Sequence, residues 1–217
     1  KTEINYSEKS DSLLKSEKYL TKLSSLNQKI LLKHLNWCKI ARPKQITPKG
    51  DWNVWLILAG RGWGKTRTGA QDIAFYGLTR PNSRIAIVAP THRDGRDTCI
   101  EGISGLLSCF DRELIENWNR SIGELTLKNG TIYRTFSAEQ PDRLRGPQFH
   151  RAWCDELGAW KNDEAWDQLL FGLRLGENPQ IVVTTTPKPT DIIKELVSSK
   201  DSLVTRGSTF ENKDNLA

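Results

Sequence analysis

Val54-Trp-Leu-Ile-Leu-Ala-Gly-Arg-Gly-Trp-Gly-Lys-Thr66 sets an apolar run of strand character, Val54 to Ala59, directly before a turn with glycine at Gly60, Gly62 and Gly64. Lys65 and Thr66 follow, and then a helix-like segment, Arg67 to Tyr76. Strand, glycine loop and helix in that order make a phosphate cradle. Glycines let successive backbone N–H groups converge on an anion, and the helix N-terminus adds its partial positive charge. Lys65 can reach the terminal phosphates, and the Thr66 hydroxyl can ligate Mg²⁺. Only the first position of the G-x-x-x-x-G-K-[ST] pattern departs, being Ala59. The candidate nucleotide-binding set is therefore Gly60, Arg61, Gly62, Trp63, Gly64, Lys65, Thr66 and Arg67.

Working outward, a chain of 217 residues is long enough for one large domain with a substantial core. The net charge of +6 and pI near 9.2 permit a polyanionic partner without demanding one. Cys38, Cys99, Cys109 and Cys154 are widely spaced with no C-x-x-C pair, which excludes a zinc ribbon or a redox motif and suits reduced thiols in a cytoplasm. No apolar run approaches a membrane span, and the Lys- and Ser-rich start lacks a signal-peptide centre. A soluble, intracellular protein without membrane contact is expected. With no methionine anywhere, the chain reads as a piece of a longer protein.

Before the cradle, Leu20, Leu23, Leu26 and Ile30 recur at helical spacing, with Leu31 and Leu35 on an adjacent stripe. Two short amphipathic helices are expected, broken near Ser24-Ser25, so that residues 1–41 form a helical extension and 42–217 the main domain. Arg42 to Gly50 is a loop by its prolines and glycine. Gln45, shortly before the cradle, carries an amide able to contact an adenine edge, although taken alone it reads as an ordinary loop glutamine.

After the cradle, Arg84 to Ala89 reads as a strand and Asp97 to Ser108 as a helix of weak formers. Leu125 to Phe136 alternates about Asn129-Gly130, a strong hairpin signal. Phe149 to Cys154 is a strand that delivers Asp155-Glu156. A helix carrying Trp166, Leu169, Leu170 and Leu173 follows, then a β-branched strand, Gln180 to Thr184, a helix from Asp191 to Ser198 and a last strand, Ser202 to Arg206. Alternating strands and helices predict an α/β fold, a mostly parallel sheet between helices with an added antiparallel hairpin. Ligands of such sheets lie at the carboxyl ends of the strands, which puts the cradle, Pro90-Thr91, Asp155-Glu156 and Thr184 to Thr186 on one crevice.

Triphosphate hydrolysis needs a held metal, an oriented water and cations to meet the spreading charge. Asp155 suits the Mg²⁺ shell beside Thr66, and Glu156 suits polarising the attacking water. Thr184, Thr185 and Thr186 can report γ-phosphate through their hydroxyls, or simply close a β-branched strand. Arg61 lies within reach of phosphate in its own subunit. Arg143 and Arg145 lie in the charged loop Ser137 to Gly146, where they serve either as surface charge or as an arginine offered to a neighbouring subunit.

These stretches together resemble a known family. Ala59 to Thr66, preceded by Arg42-Pro-Lys-Gln-Ile46 and followed by Asp142-Arg-Leu-Arg-Gly-Pro147, Ala152-Trp-Cys-Asp-Glu-Leu157 and Val183-Thr-Thr-Thr-Pro187, are similar to the ATPase half of the large terminase subunit of tailed bacteriophages and prophages. The likeness runs from about Pro43 to Leu216. It implies a P-loop NTPase of the additional-strand (ASCE) type that hydrolyses ATP with Mg²⁺ and drives double-stranded DNA into a procapsid. It further implies a homo-oligomeric, pentameric ring docked on the portal protein in the bacterial host cytoplasm, with the small terminase subunit as partner. Carried onto this chain, Gln45 is adenine-proximal, Lys65 and Glu156 are catalytic, Thr66 and Asp155 hold the metal, Thr184 to Thr186 couple, and Arg145 acts on a neighbour's nucleotide. The family tolerates Ala59. Its members usually continue into a nuclease, for which this sequence offers no residues. Two other readings share the core: a helicase or repair-type DNA translocase, and a nucleotide-gated binding module.

Overall fold

The structure, a computed structural model of the chain, describes residues 24–215. The chain divides into two compact units at the Ala41 to Arg42 junction. In the described part of the first, helix α1 covers Ser25–Ile40, and the Ser24 hydroxyl caps it by accepting from the Asn27 amide at 3.3 Å. The expected break near Ser24-Ser25 is thus a helix start. The helix expected before it, with Leu20 and Leu23, falls outside the described residues.

The second unit is built on one eight-stranded sheet. Its strands are β1 (Val54–Ala59), β2 (Arg84–Ala89), β3 (Ile115–Asn119), β4 (Glu124–Leu127), β5 (Ile132–Ser137), β6 (Arg151–Asp155), β7 (Gln180–Thr185) and β8 (Ser202–Gly207). They lie in the order β3-β4-β5-β2-β6-β7-β1-β8. From β5 to β8 every pairing is parallel, whereas β3 and β4 add an antiparallel meander at one edge. β7 lies between the cradle strand β1 and the acid strand β6, the inserted strand that gives the ASCE type its name. The fold is that of a P-loop NTPase of this type.

Three helices cover the sheet: α2 (Lys65–Thr79), α3 (Glu164–Gly172) and α4 (Asp191–Ser198). Strand alternation decides which side chains meet which helix. Leu56, Leu58, Val88, Cys154 and Val183 form one core with Trp166 and Leu169 of α3 and Ile192, Ile193 and Leu196 of α4. Trp153, from the opposite face of β6, meets Gly69 of α2. Both faces are therefore dry, and the central strands read as continuous apolar runs for that reason. A buried ion pair pins α2 to β6: Arg151 donates to both carboxylate oxygens of Asp72, at 2.7 and 2.9 Å. The Thr47 hydroxyl donates to the same carboxylate.

The structure corrects several expectations. The helix expected over Asp97 to Ser108 is a π-helical turn, Asp94–Ile100, followed by a separate 3₁₀ turn, Leu106–Cys109. Glycines at 95, 102 and 105 weaken helix propagation, and the Glu101 amide donates to the Arg96 carbonyl five residues back, at 2.8 Å, the bond of the wider turn. Strand β3 is absent from the sequence reading because only Ile115 of its residues is buried, so it carries no alternation. Strand β6 starts at Arg151, and Phe149 makes only an isolated bridge to Leu173. Helix α2 begins two residues before Arg67 and ends three beyond Tyr76.

Candidate nucleotide site

The parallel register brings the candidate residues to one edge of the sheet. Asp155 pairs with Thr184 across β6 and β7, and Leu58 pairs with Thr185 across β1 and β7. Loop 60–64 rises from the end of β1, and Gly64, at φ 94°, turns it into α2. A side chain there would be strained by that φ and would also stand 2.9 Å from the Gln45 amide nitrogen, so the position requires glycine.

Lys65 is buried, and its ammonium donates to the carbonyls of Ala59 and Gly60 at 3.1 and 3.2 Å. Its third neighbour is the Glu156 carboxylate, at 3.6 Å. Glu156 has left-handed backbone geometry, φ 48°, which a non-glycine residue adopts at a cost of roughly 1 kcal/mol or more. That geometry turns its carboxylate onto Thr186, whose amide and hydroxyl both donate to it. The acid is thereby held at the mouth of the cradle beside Lys65.

Asp155 is buried at the end of β6. It accepts from the Thr184 hydroxyl at 2.7 Å, with the Cys99 thiol as a further neighbour. Burial pushes its carboxyl up to about 6 against the pull of the Thr184 bond, and neighbouring Glu156 adds to the rise. A buried acid under this pressure gains from a cation. The Thr66 hydroxyl makes no hydrogen bond to protein among the described residues. One carboxylate and one hydroxyl are hard oxygen donors of the sort Mg²⁺ takes alongside water and phosphate, so these residues fit that ion. No cluster of three or more His, Cys, Asp or Glu side chains suited to a metal occurs among the described residues.

The three threonines divide their work. Thr184 holds Asp155, Thr186 holds Glu156, and the Thr185 hydroxyl accepts from the Gly158 amide at 3.0 Å, fixing the turn after the acids. Gln45 is buried, with its amide nitrogen donating to Thr68 at 3.1 Å and its oxygen accepting from the Arg42 amide at 3.1 Å. Arg61 and Gly62 are exposed, whereas the Trp63 side chain is fully buried beneath the loop. Arg67 donates to the Ser108 hydroxyl. Arg145 lies away from this cluster in ion pairs with Asp142 at 3.2 Å and Glu164 at 3.4 Å. Arg143 lines a separate cavity of about 230 Å³ with His92 and Arg134.

Sequence reasoning missed a set of braces around the loop. The Arg61 carbonyl accepts from the Thr209 hydroxyl at 2.8 Å, the Gly62 carbonyl from the Asn212 amide at 2.7 Å and the Trp63 carbonyl from Arg42. Arg42 also stacks over the Trp63 ring, and the Trp63 indole donates to Glu211 at 3.2 Å. The Lys44 ammonium beside Glu211 and the indole bond hold the Glu211 carboxyl down at about 2.

Solved structures share this architecture. The ATPase domain of the Thermus phage P74-26 large terminase superposes with a TM-score of 0.61 at 16% identity, covering 80% of this chain and 84% of that one. The large terminase of a thermophilic bacteriophage, solved in complex with ADP, gives 0.63 at 17% identity over 87% of this chain and 47% of that one. The HK97 bacteriophage large terminase gives 0.55 at 20% identity, with 86% and 39% covered. The chain thus spans less than half of each of these last two proteins. No curated protein matches it by sequence, and identities this low show the fold alone. Family membership rests on the sequence: the family described as terminase large subunit, T4likevirus-type, N-terminal, matches residues 56–200, most of the chain. Glycine loop, acid pair and inserted strand thus sit in the N-terminal part of a large terminase subunit, and the chain is a member of that family.

Proposed function

We propose that this domain hydrolyses ATP with Mg²⁺ and couples the hydrolysis to movement of double-stranded DNA into a procapsid. The observation that carries the reading is the meeting of Lys65 and Glu156 at 3.6 Å beside a glycine loop that leads into the N-terminus of α2. The large terminase of the thermophilic bacteriophage has been solved with ADP and with ATP-gamma-S, which supports a nucleotide as the ligand. Lys65, now held by two carbonyls, would exchange them for the terminal phosphates. Gly60 to Arg67 would line the triphosphate, with Gln45 below the loop toward the base. Thr66 and Asp155 would hold Mg²⁺, which when bound neutralises phosphate charge. Glu156 would aim a water at the γ-phosphate, and its Thr186 bonds would pass that change to β7. Arg145 would act on the nucleotide of a neighbour in a pentameric ring seated on the portal, with the small subunit as a further partner.

The test is multiple-turnover phosphate release, with and without DNA. Lys65→Ala is expected to lose nucleotide affinity and turnover together. Glu156→Gln is expected to keep affinity and lose turnover by roughly 10²-fold or more, the scale of general-base catalysis. Turnover by Glu156→Gln at the unmutated rate would remove the assigned chemistry.

A further inference from the structure

Asp155 is held by more than its own strand. Its carboxylate accepts from Thr184, and the Thr184 hydroxyl in turn accepts from the Trp153 indole N–H at 2.7 Å. An indole N–H can only donate, and a hydroxyl has one proton to give. The direction of the chain is therefore fixed: Trp153 to Thr184, Thr184 to Asp155. The other acceptor near that hydroxyl among the described residues, the Cys154 carbonyl, is 3.5 Å away and competes poorly with the 2.7 Å carboxylate. All three side chains are buried, so water does not substitute for any link.

The far end of this chain touches the cradle helix. A Cβ built on Gly69 of α2 would stand 2.4 Å from the Trp153 indole nitrogen and 2.5 Å from its Cε2 atom. Gly69 is one helical turn beyond Thr66, the residue expected to share the metal with Asp155. The same indole thus rests on the helix that carries Thr66 and sets the proton direction at Asp155.

We infer that Trp153 is a positioning residue for the metal site: through Thr184 it fixes which face of the Asp155 carboxylate is left for Mg²⁺, and through Gly69 it keys that face to the position of α2. Donation by Thr184 occupies one oxygen and its lone-pair direction. The carboxylate cannot rotate without breaking a bond that the indole has already oriented. Thr184 is on this account committed to the acid rather than free to meet a phosphate.

The inference rests on the nucleotide reading and is tested by binding rather than turnover. Affinity for a non-hydrolysable ATP analogue is measured across a Mg²⁺ titration and again with chelator. Trp153→Phe keeps a ring and loses the N–H. It is expected to need about five- to tenfold more Mg²⁺ to reach full affinity, the worth of one neutral buried hydrogen bond, with affinity in chelator unchanged. Thr184→Val should lose the same amount, Thr184→Ser should retain wild-type behaviour, and the double variant Trp153→Phe/Thr184→Val should lose no more than Thr184→Val alone. Should Trp153→Phe not fold, Gly69→Ala, which crowds the indole edge, carries the same comparison. Additive losses, or a wild-type Mg²⁺ requirement in Thr184→Val or Trp153→Phe, overturn the inference while leaving the nucleotide reading intact. Absence of analogue binding by the unmutated protein overturns both.

Discussion

Asp155 and Glu156 are adjacent, yet the fold gives them opposite settings. Asp155 closes a fully buried strand, whereas Glu156 is already in the turn, left-handed, with its carboxylate toward the loop. Separation of this kind lets one acid serve a cation and the other a water. It also has a consequence for stability in metal-free protein. Burial lifts the Asp155 carboxyl from 3.8 to about 6, so between those values the folded state holds a proton that the unfolded state has released. Stability from this group is therefore present at low pH and falls as pH rises through about 6. The loss amounts to roughly 2–3 kcal/mol at most. Asp155→Asn carries no such titration. In chelator, its thermal midpoint relative to wild type is expected to rise between pH 4.5 and 7.5; a constant offset across that range would show that Asp155 is not desolvated in the way its burial implies.

At the scale of elements, the central strands and the cradle were legible in the sequence because burial on both faces leaves β1, β2, β6 and β7 as apolar runs, and because glycine, lysine and threonine occur in a fixed order after the first. The acid pair was legible by its place at the end of such a run. The edge strand β3 was not, since four of its five residues escape burial. Nor were the braces of the loop, because Thr209, Glu211 and Asn212 meet residues about 150 positions earlier in contacts that no local period encodes. These braces satisfy three successive carbonyls from outside, while the Trp63 amide closes the loop on itself by donating to the Gly60 carbonyl at 3.3 Å. Removing two of them should loosen the loop more than the fold. Thr209→Val combined with Asn212→Ala is expected to weaken nucleotide affinity about tenfold, two hydrogen bonds of modest net worth, with a thermal midpoint only a few degrees lower. Calorimetric titration decides it, and unchanged affinity would mean the loop keeps its shape unaided.

At the scale of the whole molecule the question is what completes the site. Among the cations of loop 141–147, Arg145 is exposed and paired with Asp142 and Glu164, while Arg143 has no ion pair among the described residues and faces a cavity with His92 and Arg134. Exposed pairs of this kind contribute about 1 kcal/mol or less, so Arg145 can leave them for a phosphate at small cost. Neither arginine meets Lys65 or Glu156 in its own chain, and an arginine supplied by a neighbour raises hydrolysis by roughly 10³ to 10⁵. If Arg145 acts in this way, Arg145→Ala and Glu156→Gln each abolish DNA-stimulated hydrolysis, yet a mixture of the two regains part of it. In mixed rings some interfaces join an intact Glu156 on one subunit to an intact Arg145 on the next. Arg143→Ala mixed with Glu156→Gln is the control: rescue there and none with Arg145→Ala would move the assignment to Arg143. Absence of rescue by either arginine, in samples shown by mass photometry to contain mixed rings, would leave hydrolysis to each subunit alone.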